Sequence, residues 1–376
     1  MKIVLAPDKF KGSLSAPQVC AAMAAGVRRV HPDAAIDACP MADGGEGTVA
    51  ALIAATRGRF ETRRVIGPLA EMKVDATFGL LGDGRTAVIE MAAASGLALL
   101  KSEDRNPLNT TTFGTGELLM AAAALGVSEI VLGIGGSATV DGGIGCAQAC
   151  GLPVLLEGGQ PVSPTEPLCG RDLPSVLMIK HGRGSAIERV RIRVACDVVN
   201  PLFGPAGAAL VFGSQKGATP QQVRWLDDAL RGLAERTGKL AEAQTPGAGA
   251  AGGLGFGMLA FFGAALQSGA AIIIEATRLR ERLAGTDLCI TGEGRLDEGS
   301  LHGKAPIAVA RLCKEIGVPC VAVVGSVGEG AELSRREGLR DYLAISDGSL
   351  SLEKCRGRAA ELVEAATARM LENIKM

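Results

Sequence analysis

The stretch MKIVLAPDKFKGSLSAPQVCAAM, residues 1–23, decides which fold the chain is expected to adopt. Its apolar run Ile3–Ala6 predicts a short buried strand. Ser15, followed three residues later by Gln18, forms a capping-box pattern that predicts the start of a helix. The loop between them carries an acid, two lysines and a serine. A polar loop between a strand and a helix is typical of the edge of a parallel α/β sheet where ligands bind.

The same order of elements recurs near both ends of the chain. Ala35–Pro40 predicts a second strand, which runs into a Gly-rich loop. Near the C-terminus, Leu288–Thr291, Val318–Val324 and Tyr342–Ile345 predict three more strands separated by helical patterns. Five strands alternating with helices predict a doubly wound parallel sheet of flavodoxin-like order.

The middle of the chain has a different pattern. Residues 63–91 are rich in β-forming segments and contain a Gly-Asp-Gly turn, and helices and further strands follow. This change predicts a separate α/β domain inserted into the first one. We therefore predict a flavodoxin-like domain of residues 1–62 plus 284–376, interrupted by an inserted α/β domain of residues 63–283.

Composition excludes several classes of function. The 376 residues include 39 Lys plus Arg and 40 Asp plus Glu, a formal net charge of −1, which argues against a broad contact with nucleic acid or an anionic membrane. The first apolar run is too short for a signal peptide, and no stretch approaches the ~20 apolar residues of a membrane helix. The ten cysteines form no C-x-x-C pair, so reduced core thiols are expected. These features predict a cytoplasmic enzyme.

The familiar nucleotide-binding motifs are mostly missing. The chain has no P-loop motif. A G-x-G-x-x-G pattern occurs at Gly247, Gly249 and Gly252, but it follows Gln-Thr-Pro rather than a strand, so it lacks the context of a dinucleotide-binding fold. It leaves a dinucleotide-dependent oxidoreductase open as an alternative. A non-catalytic clamshell protein that binds small organic acids is a third possibility.

Polar and glycine residues follow three of the predicted strands. They are Asp8, Lys11 and Ser13 after the first strand, Asp43, Gly44 and Gly45 after the second, and Gly292, Glu293, Gly294, Arg295, Asp297 and Lys304 after the third. Each loop alone could be an ordinary turn or helix cap. Because ligands bind outside the carboxyl ends of the strands in open α/β sheets, three such loops together predict one binding site.

The inserted domain has polar clusters of its own. Gly135, Gly136 and Ser137 follow a predicted strand and can form a nest of backbone N–H groups that holds an anion. Asp141 and Asp197 are candidates for holding a cation or a hydroxyl group. Gly252 lies in the Gly-rich segment 244–257, which is a hinge or a ligand loop.

Taken together in chain order, these motifs resemble the type I glycerate kinase family. The resemblance rests on APDKFKGSLSA, ADGGEGT, IEMAAASGL, GTGEL, GIGGSAT, PGAGAAGG and ITGEGR, and covers almost the whole chain. It implies a flavodoxin-like domain interrupted by a restriction-endonuclease-like domain. It also implies that ATP and glycerate give ADP and phosphoglycerate, with the 2-phospho product favoured over the 3-phospho product. Two positions depart from the family pattern: Val140 stands where Asn is expected, and Phe113 where Arg or another aromatic residue is common.

Phosphoryl transfer needs positive charge for the phosphates, Mg²⁺, and a positioned hydroxyl group. We predict ATP and glycerate as substrates, Mg²⁺ as the metal, and a site in the cleft between the two domains. The oligomeric state is not predicted. The candidate catalytic residues are Asp8, Lys11, Asp197 and Lys304; the candidate binding residues are Ser13, Gly44, Gly45, Gly135, Gly136, Ser137, Asp141, Gly252, Gly292, Gly294 and Arg295; the candidate metal ligands are Asp43, Asp197, Glu293 and Asp297.

Overall fold

A computed structural model of the chain describes residues 1–159, 162–180, 186–346 and 351–374. The strands are β1 (Lys2–Pro7), β2 (Ala35–Ala38), β3 (Arg59–Ile66), β4 (Lys73–Leu80), β5 (Thr86–Glu90), β6 (Glu129–Gly133), β7 (Val154–Leu156), β8 (Val176–Ile179), β9 (Arg191–Ala195), β10 (Ala265–Gln267), β11 (Leu288–Gly292), β12 (Arg295–Leu296), β13 (Cys320–Val324), β14 (Ser326–Val327) and β15 (Leu339–Ala344). The helices are α1 (Ala16–Val30), α2 (Thr48–Thr56), α3 (Ala92–Ser95), α4 (Phe113–Ala124), α5 (Ile144–Ala149), α6 (Ala208–Phe212), α7 (Pro220–Arg236), α8 (Leu240–Ala243), α9 (Ala250–Phe262), α10 (Gly269–Ala276), α11 (Leu279–Leu283), α12 (Ala305–Ile316), α13 (Leu352–Gly357) and α14 (Ala359–Asn373).

Contacts between residues divide the chain into two compact units. The first unit comprises Met1–Asp43, Ala50–Gly58 and Ser268–Met376, and the second comprises Gly44–Val49 and Arg59–Gln267. By this division α10 and α11 belong to the first unit, whereas the predicted inserted domain ends after α11. The domain boundaries at 62/63 and 283/284 themselves stay a prediction.

A polar contact explains why α11 packs with the first unit. Arg282 of α11 donates a hydrogen bond of 2.8 Å to Asp37 Oδ1 on β2 and one of 3.3 Å to the carbonyl oxygen of Ala38. The guanidinium group fixes the end of α11 against the edge strand of the first sheet.

The sheet of the first unit has the predicted flavodoxin-like order. Its five strands run β15-β13-β11-β1-β2, and every adjacent pair is parallel. Ile3 and Leu5 are fully buried, as the apolar run predicts for a central strand covered on both faces. The predicted capping box at the start of α1 is also present, with Gln18 Oε1 accepting from the Ser15 N–H at 2.9 Å.

The second unit is an α/β unit built on a mixed sheet. Its six strands run β10-β9-β6-β5-β4-β3. The pairs β3–β4 and β4–β5 are antiparallel, and the four strands from β5 to β10 pair in parallel. The carboxyl ends of β5, β6, β9 and β10 therefore lie at one edge of this sheet. Phe78 and Phe256 are among the largest fully buried side chains of its core.

The composition gave expectations about membrane helices and about the cysteines. In the ranges that the structure describes, every helix is too short or too polar to cross a bilayer. All ten cysteines are free thiols and eight of them are buried, which confirms the prediction of core thiols.

Candidate active site

Asp8 leaves β1 at the carboxyl edge of the first sheet. Its backbone N–H donates to the Gly292 carbonyl oxygen at 2.8 Å, which ties the start of the loop to the end of β11. The side chain is buried, with only 7% of the residue exposed, and Asp8 Oδ1 accepts from the Lys9 N–H at 2.6 Å. The loop therefore presents a desolvated carboxyl group beside the neighbouring strand end.

Glu293 follows β11 and meets Asp8 at the same edge. It is also only 7% exposed, and Glu293 Oε1 is buried without a hydrogen-bond partner among the described residues. The second oxygen, Oε2, lies 4.0 Å from Lys304 Nζ, at the start of α12. A buried carboxylate oxygen without a partner is costly, so the position favours a cation or a proton supplied by a ligand.

The electrostatics of the two acids reflect their burial. Burial raises the pKa of Asp8 to about 6, with the Asp43 carboxylate adding to the effect and the Lys9 ammonium opposing it. Burial likewise raises the pKa of Glu293 to about 7; the Ser300 hydroxyl and the Lys304 ammonium oppose the increase, and the nearby Asp8 carboxylate adds to it. Two carboxyl groups that titrate near neutral pH are suited to proton transfer or to binding a cation.

The remaining predicted metal ligands of the first unit have different surroundings. Asp43 Oδ1 lies 3.5 Å from Lys9 Nζ, and Asp297 Oδ2 lies 3.0 Å from Arg295 Nε. We use "carboxylate cluster" for Asp8, Asp43 and Glu293 with Lys9 and Lys304. Asp297 and Arg295 instead form an ion pair with each other.

The carboxylate cluster fits Mg²⁺ better than a metal that needs many protein ligands. Among the described residues, no three carboxylate oxygens from different Asp or Glu side chains lie within 4.8 Å of one another. Mg²⁺ usually takes one or two carboxylates and completes its shell with water and phosphate oxygens. The unpaired buried oxygen of Glu293 offers one such ligand.

Lys11, Ser13 and Gly294 are brought to the same edge of the sheet. All three line a cavity of about 510 Å³. The Lys11 side chain is exposed, and Ser13 Oγ donates to the Arg356 carbonyl oxygen at 3.5 Å. Gly292, another predicted binding residue, is the last residue of β11 and pairs with Pro7 of β1. It is therefore part of the sheet itself.

The predicted anion nest follows β6 in the second unit. Within the described ranges, the backbone N–H groups of Gly135, Gly136 and Ser137 donate no hydrogen bond. Gly44 and Gly45 pack against this segment: a Cβ atom at Gly133 would lie 2.4 Å from the Gly44 carbonyl oxygen. The second unit thus brings five predicted glycine and serine positions together and leaves three donors for an anion.

Lys216 was not among the site residues predicted from the sequence. It is only 3% exposed, and its Nζ donates to Ser137 Oγ at 2.7 Å and to the Thr139 carbonyl oxygen at 2.7 Å. Burial lowers the pKa of Lys216 to about 7, although the Asp141 carboxylate opposes the shift. Because Ser137 Oγ accepts from Lys216, its hydroxyl group can still donate its own proton to a ligand. A lone lysine in a Gly-rich turn gave no signal of this in the sequence.

Asp141 uses its oxygens inside the protein. It is fully buried, and Oδ2 accepts from the Thr112 N–H at 2.8 Å and from Thr112 Oγ1 at 2.7 Å, while Oδ1 accepts from the Gly143 N–H at 3.1 Å. Burial raises the pKa of Asp141, and these hydrogen bonds oppose the increase. Its role toward a ligand stays a prediction. The adjacent Val140 is fully buried in the core of the unit, so it takes the place of the expected Asn as a packing residue.

Of the other two predicted residues of the second unit, Gly252 packs against Thr139, whose carbonyl oxygen accepts from Lys216. Asp197 is exposed just after β9. Gly252 has φ +66°, and a Cβ atom there would lie 1.9 Å from the Thr139 carbonyl oxygen, so close backbone packing requires glycine. The G-x-G-x-x-G pattern that ends at Gly252 follows α8 rather than a strand. It therefore lacks the strand–turn–helix context of dinucleotide binding.

The raised pKa of Glu293 gives a prediction about stability. The folded-state pKa of about 7 lies above the ordinary value of 4.5, so the folded protein holds this proton more tightly than the unfolded chain. Stability should therefore fall as the pH rises from about 4.5 to 7, because ionised Glu293 is disfavoured in the fold. Glu293→Gln should weaken this dependence and raise the free energy of unfolding at pH 8 by about 1–3 kcal/mol.

Urea unfolding at pH 5 and pH 8, with EDTA present, measures this difference. Glu298→Gln is the matched control, since Glu298 is exposed in the same loop. Equal pH dependence of stability in the wild type and Glu293→Gln would show that the carboxyl group is not strained by burial.

Comparison with known proteins shows which family the chain belongs to. The model of the "Glycerate kinase family" matches residues 3–375. The chain is 46% identical over 349 residues to the glycerate 2-kinase of Escherichia coli (strain K12), which covers 92% of this chain and 90% of that protein. It is 44% identical over 380 residues to the glycerate kinase of Bacillus subtilis (strain 168), covering 100% of this chain and 98% of that one.

A solved structure shares the fold. The crystal structure of a protein assigned as glycerate kinase 2 from Salmonella typhimurium LT2 matches with a TM-score of 0.87 and 41% sequence identity, over 99% of this chain and 97% of that one. The family model spans nearly the whole sequence and several relatives exceed 40% identity over nine-tenths of it. This chain therefore belongs to the glycerate kinase family.

Proposed function

We propose that this protein transfers the γ-phosphoryl group of ATP to a hydroxyl group of glycerate and forms 2-phosphoglycerate. The names of the relatives support the reaction, and the name glycerate 2-kinase supports the position of transfer. The observation that carries the proposal is the pair of buried acids Asp8 and Glu293 beside Lys9 and Lys304. Kinases need acids for the metal and the attacking hydroxyl, and lysines for the phosphates.

Asp8 is the proposed general base. A base works best when its pKa is near the working pH, and the pKa of Asp8 is raised to about 6. At neutral pH it is mostly ionised and can accept the proton of the glycerate hydroxyl. Lys11 and Lys304 neutralise charge on the transferred phosphate. Asp197 of the second unit is kept as a further candidate for catalysis or metal binding.

Glu293 and Asp43 are the proposed ligands of Mg²⁺. When bound, the metal supplies positive charge that stabilises the phosphate oxygens. Asp297 is a weaker candidate because it is paired with Arg295. Since Mg²⁺ takes few carboxylates, at most two of the predicted acids are expected to touch it directly.

The anion nest at Gly135–Ser137 is proposed to bind an anionic group of the substrates. Three backbone N–H groups and the Ser137 hydroxyl are suited to a carboxylate or a phosphate. Lys216 adds a positive charge behind Ser137. That the substrates meet in a cleft between the domains stays a prediction from the sequence.

Steady-state formation of ADP tests the proposal. Purified protein with ATP and Mg²⁺ should form ADP only when glycerate is added, and chelation of the metal should stop the reaction. NADH oxidation in the presence of organic acids would instead support the oxidoreductase alternative. Binding of glycerate without ADP formation would support the alternative of a non-catalytic clamshell protein.

A further inference from the structure

We infer that the cavity of about 510 Å³ in the first unit binds the nucleoside part of ATP. This inference rests on the proposed function. It assigns nucleotide binding to the first unit, which the family description and the relatives' names do not specify. We call this space the nucleoside cavity. Its apolar walls are formed by Phe10, Val327, Ala344, Ile345 and Ala359.

The nucleoside cavity lies where α/β sheets bind ligands. Phe10 belongs to the loop after β1, Gly325 directly follows β13, and Ile345 directly follows β15. These three strands are parallel, with β11 between β1 and β13. Their carboxyl ends meet at one edge of the sheet, which is the usual ligand-binding edge of this architecture.

The walls suit a flat heterocycle. Phe10 is 3% exposed and Ile345 is 8% exposed, so both form packed walls, whereas Val327 is 45% exposed. An exposed valine facing a concave apolar space leaves surface that a ligand can cover. A volume of about 510 Å³ lies in the range of pockets that hold small molecules and cofactors, ~300–1,000 Å³.

The charged residues that the structure describes in the nucleoside cavity are both positive. Lys11 and Arg356 line it, and none of the described lining residues is acidic. The Arg356 guanidinium carbon lies 3.6 Å from the position that a Cβ atom at Gly12 would take, so it sits over the Lys11–Gly12 turn. Two cations next to an apolar pocket match a ligand with an apolar ring and a phosphate chain.

Residues that line the nucleoside cavity are adjacent in sequence to members of the carboxylate cluster. Gly294 lines the cavity and is bonded to Glu293, whose carbonyl oxygen accepts from the Gly325 N–H at 2.9 Å. Phe10 likewise follows Asp8 by two residues. A nucleoside held between Phe10 and Val327 would therefore direct its phosphates past Lys11 toward Asp8 and Glu293.

Two variants of the full-length protein test the assignment. Val327→Asp places a charge in the apolar wall, and Ser326→Trp fills the cavity from an exposed position. Titration calorimetry with ADP and Mg²⁺, without glycerate, should show the Kd rising at least about tenfold in both variants. The KM for ATP should rise in parallel, while the KM for glycerate changes less than about twofold. Leu240→Asp is the control, because Leu240 is similarly exposed, at 48%, in the second unit.

Inorganic tripolyphosphate provides a second control, since it lacks the nucleoside. It should bind the wild type and Ser326→Trp with similar Kd. An ADP Kd within about twofold of the wild type in both folded variants would overturn the inference even if glycerate is phosphorylated. Wild-type protein that binds ADP in a Val327-dependent manner but does not phosphorylate glycerate would instead refute the proposed function alone.

Discussion

The Asp8→Asn variant is expected to lose about 10²- to 10⁴-fold in kcat while remaining folded. Asparagine keeps the shape of the side chain but cannot accept the hydroxyl proton. The Asp8 carboxyl group is buried at 7% exposure and its pKa is raised to about 6, so an amide should be tolerated in the fold. The wild-type kcat should fall below about pH 6 as Asp8 becomes protonated, because only the ionised form acts as a base.

Steady-state kinetics at saturating ATP and glycerate measure this loss, and thermal unfolding checks the fold. Asp33→Asn is the matched control, since Asp33 is exposed in the same unit. A kcat for Asp8→Asn close to that of the control, with a normal unfolding transition, would remove Asp8 from the mechanism. Glu293, whose pKa is about 7, would then be the next candidate for the base.

The Lys216→Met variant is expected to lower kcat/KM by about 10²-fold with little change in stability. Methionine has a similar length but no charge. The Lys216 amino group is buried, and its pKa of about 7 leaves it partly charged at neutral pH. Its direct partners are the Ser137 hydroxyl and the Thr139 carbonyl. Loss of the two hydrogen bonds costs about 2–6 kcal/mol in total, and removal of a buried ammonium group offsets this by several kcal/mol. The loss of activity should therefore appear mainly as a raised KM for an anionic substrate.

Separate KM values for ATP and glycerate, together with urea unfolding, test this expectation. Lys101→Met is the control, because Lys101 is exposed in the same unit. Ser137→Ala should raise the same KM as Lys216→Met if both act through the anion nest. If Lys216→Met mainly destabilises the protein and leaves kcat/KM unchanged, the lysine is structural.

The architecture of the first unit could be predicted because its signals are local. Each central strand is a short apolar run that leads into a polar or glycine residue. In β1, for example, Ala6 and Pro7 are followed by Asp8. Parallel strands buried on both faces require such runs. The polar residues after them must then lie at one edge, which is why Asp8, Asp43 and Glu293 were predicted to share a site.

The second unit was harder to predict because its important contacts are distant in sequence. Lys216 reaches Ser137 across 79 residues, and Thr112 reaches Asp141 across 29. Neither pairing follows from spacing or periodicity. The sequence could place Asp141 in a Gly-rich loop, but only the fold shows that Thr112 and Gly143 occupy its oxygens.

Phosphoryl transfer from ATP to glycerate at the carboxylate cluster can be followed by ³¹P NMR of the reaction. With wild-type protein, ATP, Mg²⁺ and glycerate, we expect ADP and the phosphomonoester signal of 2-phosphoglycerate to appear together in equal amounts. Asp8→Asn should form neither at a comparable rate. Formation of ADP with free phosphate alone, or of 3-phosphoglycerate, or unchanged product formation by Asp8→Asn, would refute the proposed reaction at this site.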